Sequence, residues 1–385
     1  MVILAEGAKK NGEWRGMRLG TLFGIEIIVN SSWLFIFALV VWALASGFVP
    51  FQAAGLSPLA RGGLAVVTAL LFFGSVLAHE LAHSLVARTR GVPVSSITLF
   101  IFGGVSRLEG EPQNAPGEAW IAFVGPLTSL VLAVLFAAVS QGIGEQHPVG
   151  AAFAYLGAAN LMLAIFNLLP AAPLDGGRVL HALIWRWTGN RLKATRVAGA
   201  VGRVLAWVII AFGIVNTLAT GLGGGLWLMF IGWYLLQAGA AETIGAELDQ
   251  ALRGLHASDL MAPPAAVIPA DATAEGAFEQ VMRYGGRALP VMLGERLLGL
   301  LAMRDMDRLG ETPRDSAYAT AIMTKLEDLE RASPEEDALA VVRRMAVGGY
   351  QQLPVIDNGD RLLGLVTRES VLRRIANAEG AAPAA

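Results

Sequence analysis

Apolar and charged positions along this 385-residue chain separate into long blocks. Runs without a charged side chain cover 30–60, 62–78, 119–144, 148–174 and 204–241, and the last is interrupted by Thr220-Gly221-Leu222-Gly223-Gly224-Gly225. At about 20 residues per crossing, they predict six membrane-spanning helices near 31–50, 64–88, 118–140, 150–170, 199–219 and 225–243. The connections alternate in positive charge. Lys9, Lys10, Arg15 and Arg18 precede the first span, Arg88, Arg90 and Arg107 follow the second, and Arg178, Arg186, Arg191, Lys193, Arg196 and Arg203 follow the fourth. The other connections hold only Arg61. The positive-inside rule therefore puts both termini and the even-numbered loops in the cytoplasm of a multi-pass cell-membrane protein. A basic, mixed N-terminus does not fit a cleavable signal and is expected to be retained.

Two segments break the helical pattern. Val92 to Gly104 is β-branched, apolar and glycine-ended, too short to span, and reads as a strand or hairpin, with an ordinary interfacial loop as the alternative. An unpaired edge cannot face lipid, so this piece is expected to be tucked into the bundle or to line a cavity. From about residue 256 an imperfect repeat appears. Ser258-Asp259-Leu260-Met261 returns as Thr320-Ala321-Ile322-Met323, Ala288-Leu289-Pro290-Val291 as Gln352-Leu353-Pro354-Val355, and Leu298-Gly299-Leu300-Leu301 as Leu363-Gly364-Leu365-Val366. Each unit predicts a helix (274–284, 336–347), a short strand, a turn and a second strand.

Composition sharpens the division. Only 16% of residues are charged and 55% are apolar, a membrane-protein balance. Before Glu242 there are 14 Lys/Arg and 9 Asp/Glu, a net +5; from Glu242 onward there are 15 and 22, a net −7. An acidic tail without a basic patch argues against nucleic-acid binding. There is no cysteine, so any metal must be held by His, Asp or Glu.

The chemistry concentrates at His79-Glu80-Leu81-Ala82-His83, at the end of an uncharged run. Two histidines four apart on a helix lie one above the other and can reach one metal ion, with the glutamate between them beside the metal's open position. Ionisable groups at membrane depth are costly and mark function. A catalytic zinc site takes three protein ligands, so a third must come from elsewhere. His147 falls in an external loop and His256 in the linker; His181 is the one remaining histidine that could approach. The stronger candidate is Asp175, at the end of a long uncharged run, after Pro170 and Pro173 and before Gly176 and Gly177, a bend suited to a ligand turn. Asn167 could hold a substrate carbonyl or steady an oxyanion, or could satisfy backbone opened by Pro170; Asn160 reads as structural. Phe123-Val124-Gly125-Pro126 reads most simply as a packing notch and kink, with substrate contact as the lesser alternative.

At these residues the chain resembles the site-2 protease family of intramembrane metalloproteases. The match comprises HExxH at His79 to His83 and N-x-x-P-x-x-x-L-D-G at Asn167 to Gly176. The tail resembles a tandem pair of CBS modules. Together these imply a polytopic α-helical membrane protein of about six transmembrane helices, with a short membrane-associated β-hairpin, followed by a cytosolic α/β tandem CBS domain. Expected boundaries are 1–245 for the transmembrane zinc metalloprotease domain, 246–255 for a linker, 256–316 and 317–376 for the two CBS modules, and 377–385 for a disordered tail. The resemblance implies one Zn2+ per chain bound by His79, His83 and Asp175, with Glu80 as general base and acid. It also implies a membrane-spanning protein substrate cleaved within or near the bilayer. Because a helical substrate hides its peptide bonds, segment 92–104 is expected to capture it, unwound, by β-augmentation.

The CBS nucleotide pattern G-h-x-T/S-x-x-D is half kept in each module. Gly299, Ala302 and Asp305 stand in the first, and Gly364, Thr367 and Ser370 in the second. An adenine nucleotide near Asp305 and Thr367, and a homodimer through the CBS modules, are the corresponding expectations. The competing reading is a CBS-regulated cation transporter using the same buried His, Glu and Asp as an ion site.

Overall fold

Alternation of period two at Ile25-Glu26-Ile27-Ile28-Val29 builds the first buried strand, with Ile25, Ile27 and Val29 inward. The computed structural model describes residues 9–10, 13–14, 16–48, 56–101, 103–108, 110, 112–285, 287–309, 313 and 315–380. The chain divides into two compact units, 1–246 and 247–385.

In the first unit, strands β1 (Gly16–Leu22) and β2 (Ile25–Asn30) form a hairpin. Helix α1 (Ser31–Ala43), continued by a π-helical turn Leu44–Phe48, and helix α2 (Pro58–Thr89) follow. Then come β3 (Val94–Phe100), β4 (Gly103–Leu108), α3 (Ala115–Ile143), α4 (Pro148–Asn167), α5 (Asp175–Thr188), α6 (Arg191–Thr220) and α7 (Leu222–Leu252). Helices α2, α3, α4, α6 and α7 are long and apolar enough to cross a membrane. The predicted first span, 31–50, is shorter than expected among the described residues: it is an apolar helix over 31–47, and 49–50 lie outside them.

The β-hairpin predicted at 92–104 is present, but it belongs to a larger sheet of order β1-β2-β3-β4. β2 and β3 run parallel, pairing Glu26 with Ser96 and Val29 with Leu99, while β3 and β4 run antiparallel, pairing Phe100 with Gly103. Ile25, Ile27, Val94 and Ile97 pack with Leu77, Leu81 and Leu85 of α2 and with Ile121 of α3. The sheet is thus fixed against the helix that carries the HExxH motif. This corrects the capture expectation. β3 has a neighbour on each side, so no further strand can pair with it; among the described residues the open edge on this side is that of β4.

The second unit contains the two predicted repeats. Helix α8 (Ala274–Arg283) precedes the hairpin β5 (Leu289–Leu293) and β6 (Arg296–Leu301), and α9 (Ala338–Gly348) precedes the hairpin β7 (Gln352–Ile356) and β8 (Leu362–Thr367). One core gathers Ile268, Val281, Leu289, Val291 and Leu301, the other Leu260, Val341, Leu353, Val355 and Val366. The hairpins meet through Leu297 N–H donating to the Asp360 carbonyl (2.9 Å) and Leu362 N–H donating to that of Glu295 (3.2 Å). Helix α10 (Arg368–Gly380) extends through 377–380, where sequence predicts a disordered tail; 381–385 lie outside the described residues.

Candidate metal centre

His79 and His83 project from one face of α2, as the four-residue spacing requires, and their Nε2 atoms lie 3.1 Å apart. Asp175 Oδ2 stands 3.2 Å from each of them. Three donor atoms therefore converge at mutual distances of 3.1–3.2 Å, and among the described residues no other group of three or more His, Asp or Glu is so placed. Donors held about 2.0–2.1 Å from a tetrahedral zinc ion sit roughly 3.3 Å apart, so the triangle fits one ion. The His83 Nδ1 atom is 2.6 Å from the Ile121 carbonyl, which can only accept. The proton is thereby assigned to Nδ1, and the Nε2 lone pair of neutral His83 is turned toward the other two donors. His79 Nδ1 pairs with Ser129 Oγ at 2.9 Å.

Asp175 reaches this point because α4 ends at Asn167 and residues 168–174 fold back on the first turn of α5. A side chain at Gly176 or Gly177 would meet Leu168 O at 2.3 Å or the Ala171 carbonyl carbon at 2.5 Å, so only glycines permit the bend. As the first residue of α5, Asp175 has its negative charge at the helix's positive end.

Glu80, adjacent to His79, is held from the sheet. Ser106 Oγ of β4 donates to Glu80 Oε2 at 3.1 Å and accepts from Ser84 Oγ at 3.0 Å. Gly104 lies directly on the glutamate stem; a Cβ there would be 2.4 Å from Glu80 Cγ. One carboxylate oxygen is thus anchored and the stem is confined.

Glycine 125 makes the same point for the histidines. Its missing Cβ would stand 2.1 Å from His83 Nε2 and 2.7 Å from His79 Nε2. The stretch read from sequence as a packing notch is therefore the clearance that α3 leaves for the donor cluster. Sequence does not single out Ser129, Ser106 or Ile121, and marks Gly125 only as a packing notch; the signal for three of the four is the stripe Ile121, Gly125, Ser129 on one face of α3.

Other predicted positions stand apart. His181 pairs with Glu118 at 3.1 Å rather than joining the donor cluster. His147 caps α4 through Val149 N–H, and His256 lies 3.9 Å from Asp259. Asn167 spends its amide on the Leu163 carbonyl of its own helix (3.0 Å), and fully buried Asn160 does the same to Leu156 (2.9 Å). In the second unit, Asp305 is 2% exposed and accepts from Ala302 N–H (2.8 Å) and Thr324 Oγ1 (3.3 Å). Thr367 and Ser370 cap α10 reciprocally, each backbone N–H donating to the other's hydroxyl at 3.0 Å.

Residues 67–147 and 142–212 match the sequence profile of Peptidase family M50, and residues 257–310 and 319–377 match that of the CBS domain. The "Putative zinc metalloprotease Rip3" of Mycobacterium tuberculosis is 35% identical over 365 residues, covering 93% of this chain and 92% of that protein. A Synechocystis protein, also named a "Putative zinc metalloprotease", is 34% identical over 362 residues, covering 93% and 94%. The solved structure "Site-2 Protease from Methanocaldococcus jannaschii" is 29% identical, covers 59% of this chain and 95% of its own, and superposes with a TM-score of 0.42.

Proposed function

Because the chain belongs to peptidase family M50, the site-2 protease family, and carries two CBS domains behind its peptidase unit, we propose that it is an intramembrane zinc endopeptidase cleaving single-span, membrane-anchored proteins in regulated proteolysis. The observation that carries this is the triangle of His79, His83 and Asp175 donors beside an anchored Glu80. In this reading those three residues hold the zinc ion, one per chain. Zinc, when bound, supplies Lewis acidity that polarises a carbonyl and lowers the pKa of water to roughly 7.

The chain's own residues do the rest. Glu80 takes the proton of the attacking water as the carbon–oxygen bond forms, then delivers it to the amide nitrogen as the carbon–nitrogen bond breaks. The Ser84–Ser106 chain keeps its carboxylate aimed while this happens. Ser129 and the Ile121 carbonyl fix the imidazole orientations. A substrate unwound at the cleavage point would add along the edge of β4, whose own Ser106 and Gly104 touch Glu80. Asn167 has a structural part here, since its amide is committed within α4.

The same reading places the peptidase in the cell membrane with the N-terminus and the CBS pair in the cytoplasm, supported by the charge alternation of the connecting segments. The CBS pair serves as the regulatory module and as a homodimer contact. An adenine nucleotide would be met by Thr367, whose hydroxyl hydrogen is free to donate while its oxygen caps α10. Asp305 supports that role less, being buried and already engaged by Ala302 N–H and by Thr324. A cation transporter built on the same groups is not favoured, because relatives aligned over 93% of this chain bear metalloprotease names. Reconstituted with a single-span substrate, the wild type should cleave it and Glu80→Gln should not, while both retain zinc. Cleavage by Glu80→Gln, or none by a zinc-loaded wild type, would refute the proposal.

A further inference from the structure

We propose that Glu118 and His181 form a positioning clamp that sets Asp175 against the histidine pair, an inference resting on the reading that His79, His83 and Asp175 hold one metal ion. Glu118, near the start of α3, is 5% exposed, and its Oε2 lies 3.1 Å from His181 Nδ1 on α5. The other ring nitrogen, Nε2, is 3.3 Å from the Arg191 carbonyl at the start of α6. A carbonyl only accepts, so Nε2 carries a hydrogen. One further proton lies between Nδ1 and the carboxylate, whichever of the two holds it. The pair ties three helices at one point.

Peptide hydrolysis uses neither residue, yet both are ionisable, Glu118 is buried and the His181 side chain is only 11% exposed, beside apolar spanning helices where such groups are costly. Their position explains them. Glu118, Ile121, Gly125 and Ser129 are buried along one face of α3. Ile121 holds His83, Ser129 holds His79, and Gly125 leaves space for both rings. Glu118 is the next position along that stripe, and what it holds is α5, the helix that begins with the third donor. His181 is six residues from Asp175, roughly 9 Å along the helix axis. One helix face thus references all three donors, two directly and the third through the clamp. A pair that only stabilised the α3–α5 contact would affect unfolding and leave the donor geometry unchanged.

The test uses the full-length protein in detergent: wild type, Glu118→Ala, His181→Ala, the double variant, Glu118→Gln and His79→Ala. Zinc affinity is read by competition with a chromophoric chelator, and donor geometry by the visible absorption of Co2+ at saturation. Glu118→Ala and His181→Ala should each weaken zinc binding on the order of 10–100-fold, the size of effect that outer-shell partners have, and should alter the cobalt spectrum. The double variant should be no worse than the worse single, since both changes remove one contact. Glu118→Gln, whose carboxamide N–H can still reach Nδ1, should restore both readouts. Wild-type affinity and spectrum in Glu118→Ala, even with a lower Tm, would overturn the clamp, as would additive losses in the double variant. His181→Ala carries the same comparison if Glu118→Ala does not fold. If the wild type binds no zinc, or His79→Ala keeps it, the metal-site reading falls and the clamp with it; a zinc-binding wild type matched by Glu118→Ala sinks the clamp alone.

Discussion

Gly125→Ala sets two effects of opposite sign against each other. In an ordinary helix interior, replacing glycine by alanine favours the helix by up to about 1 kcal/mol, a gain reduced here because the Pro126 ring crowds a Cβ on the residue before it. The added methyl, however, would lie 2.1 Å from His83 Nε2, 2.4 Å from its Cε1 and 2.7 Å from His79 Nε2. Non-bonded contacts of this kind settle near 3.5 Å, so each ring must retreat by roughly 1 Å. Neither ring is free to do so, because His83 is bonded to Ile121 O at 2.6 Å and His79 to Ser129 Oγ at 2.9 Å. Metal–ligand distances are held to about 0.2 Å, so a displacement this large removes ligation. Zinc affinity should drop on the order of 100-fold or more, beyond the range of outer-shell substitutions, while helicity in the metal-free protein holds and its stability falls by no more than the roughly 1–3 kcal/mol of an overpacked core. Chelator competition and circular dichroism on the same sample separate the two effects. Wild-type zinc affinity in Gly125→Ala would show that α3 stands farther from the histidines than described, and the account of the site would be wrong.

Ser129→Ala leaves His79 Nδ1 without its hydroxyl partner and should weaken zinc binding on the order of 10-fold, measured by the same competition; an unchanged constant would show that Ser129 does not orient the ring. Proline placed in turn at Val105, Arg107 and Leu108, which avoid the Gly104 and Ser106 contacts to Glu80, should impair cleavage where an outward N–H of β4 is lost, with zinc content unchanged; equal activity in all three would remove the strand-capture idea. Asp305→Ala should destabilise the second unit by about 1–3 kcal/mol, the cost of leaving buried donors unpaired, seen as earlier unfolding in urea without nucleotide. A loss seen only with adenine nucleotide present would mean that the carboxylate serves a ligand instead.

What could be read from the chain without coordinates follows from how local each signal is. HExxH places two donors and the acid within five residues of one helix, so pattern and geometry coincide. Asp175 was legible through its setting, because prolines before it and glycines after it dictate a bend whatever the tertiary contacts. The hairpin at 94–108 shows through its β-branched run, but its placement inside a four-stranded sheet depends on β2, whose short alternation at 25–29 sits in a mixed N-terminal stretch and pairs with β3 across about 70 residues of sequence. That long-range pairing closes one edge of β3 and leaves β4 as the open one among the described residues. The first span ends short of its predicted bound because the absence of charge to residue 60 does not by itself fix a helix end, whereas the apolar helix runs over 31–47. Ser129, Ser106 and Glu118 act across 50, 26 and 63 residues of sequence, where no periodicity connects them to their partners.

The central claim is that Asp175 completes a one-metal site begun by His79 and His83. Elemental analysis of the purified full-length protein beside Asp175→Ala and Glu80→Gln tests it most directly. One zinc per chain is expected in the wild type and in Glu80→Gln, and far less than one in Asp175→Ala. Full zinc in Asp175→Ala, or none in the wild type, would contradict it.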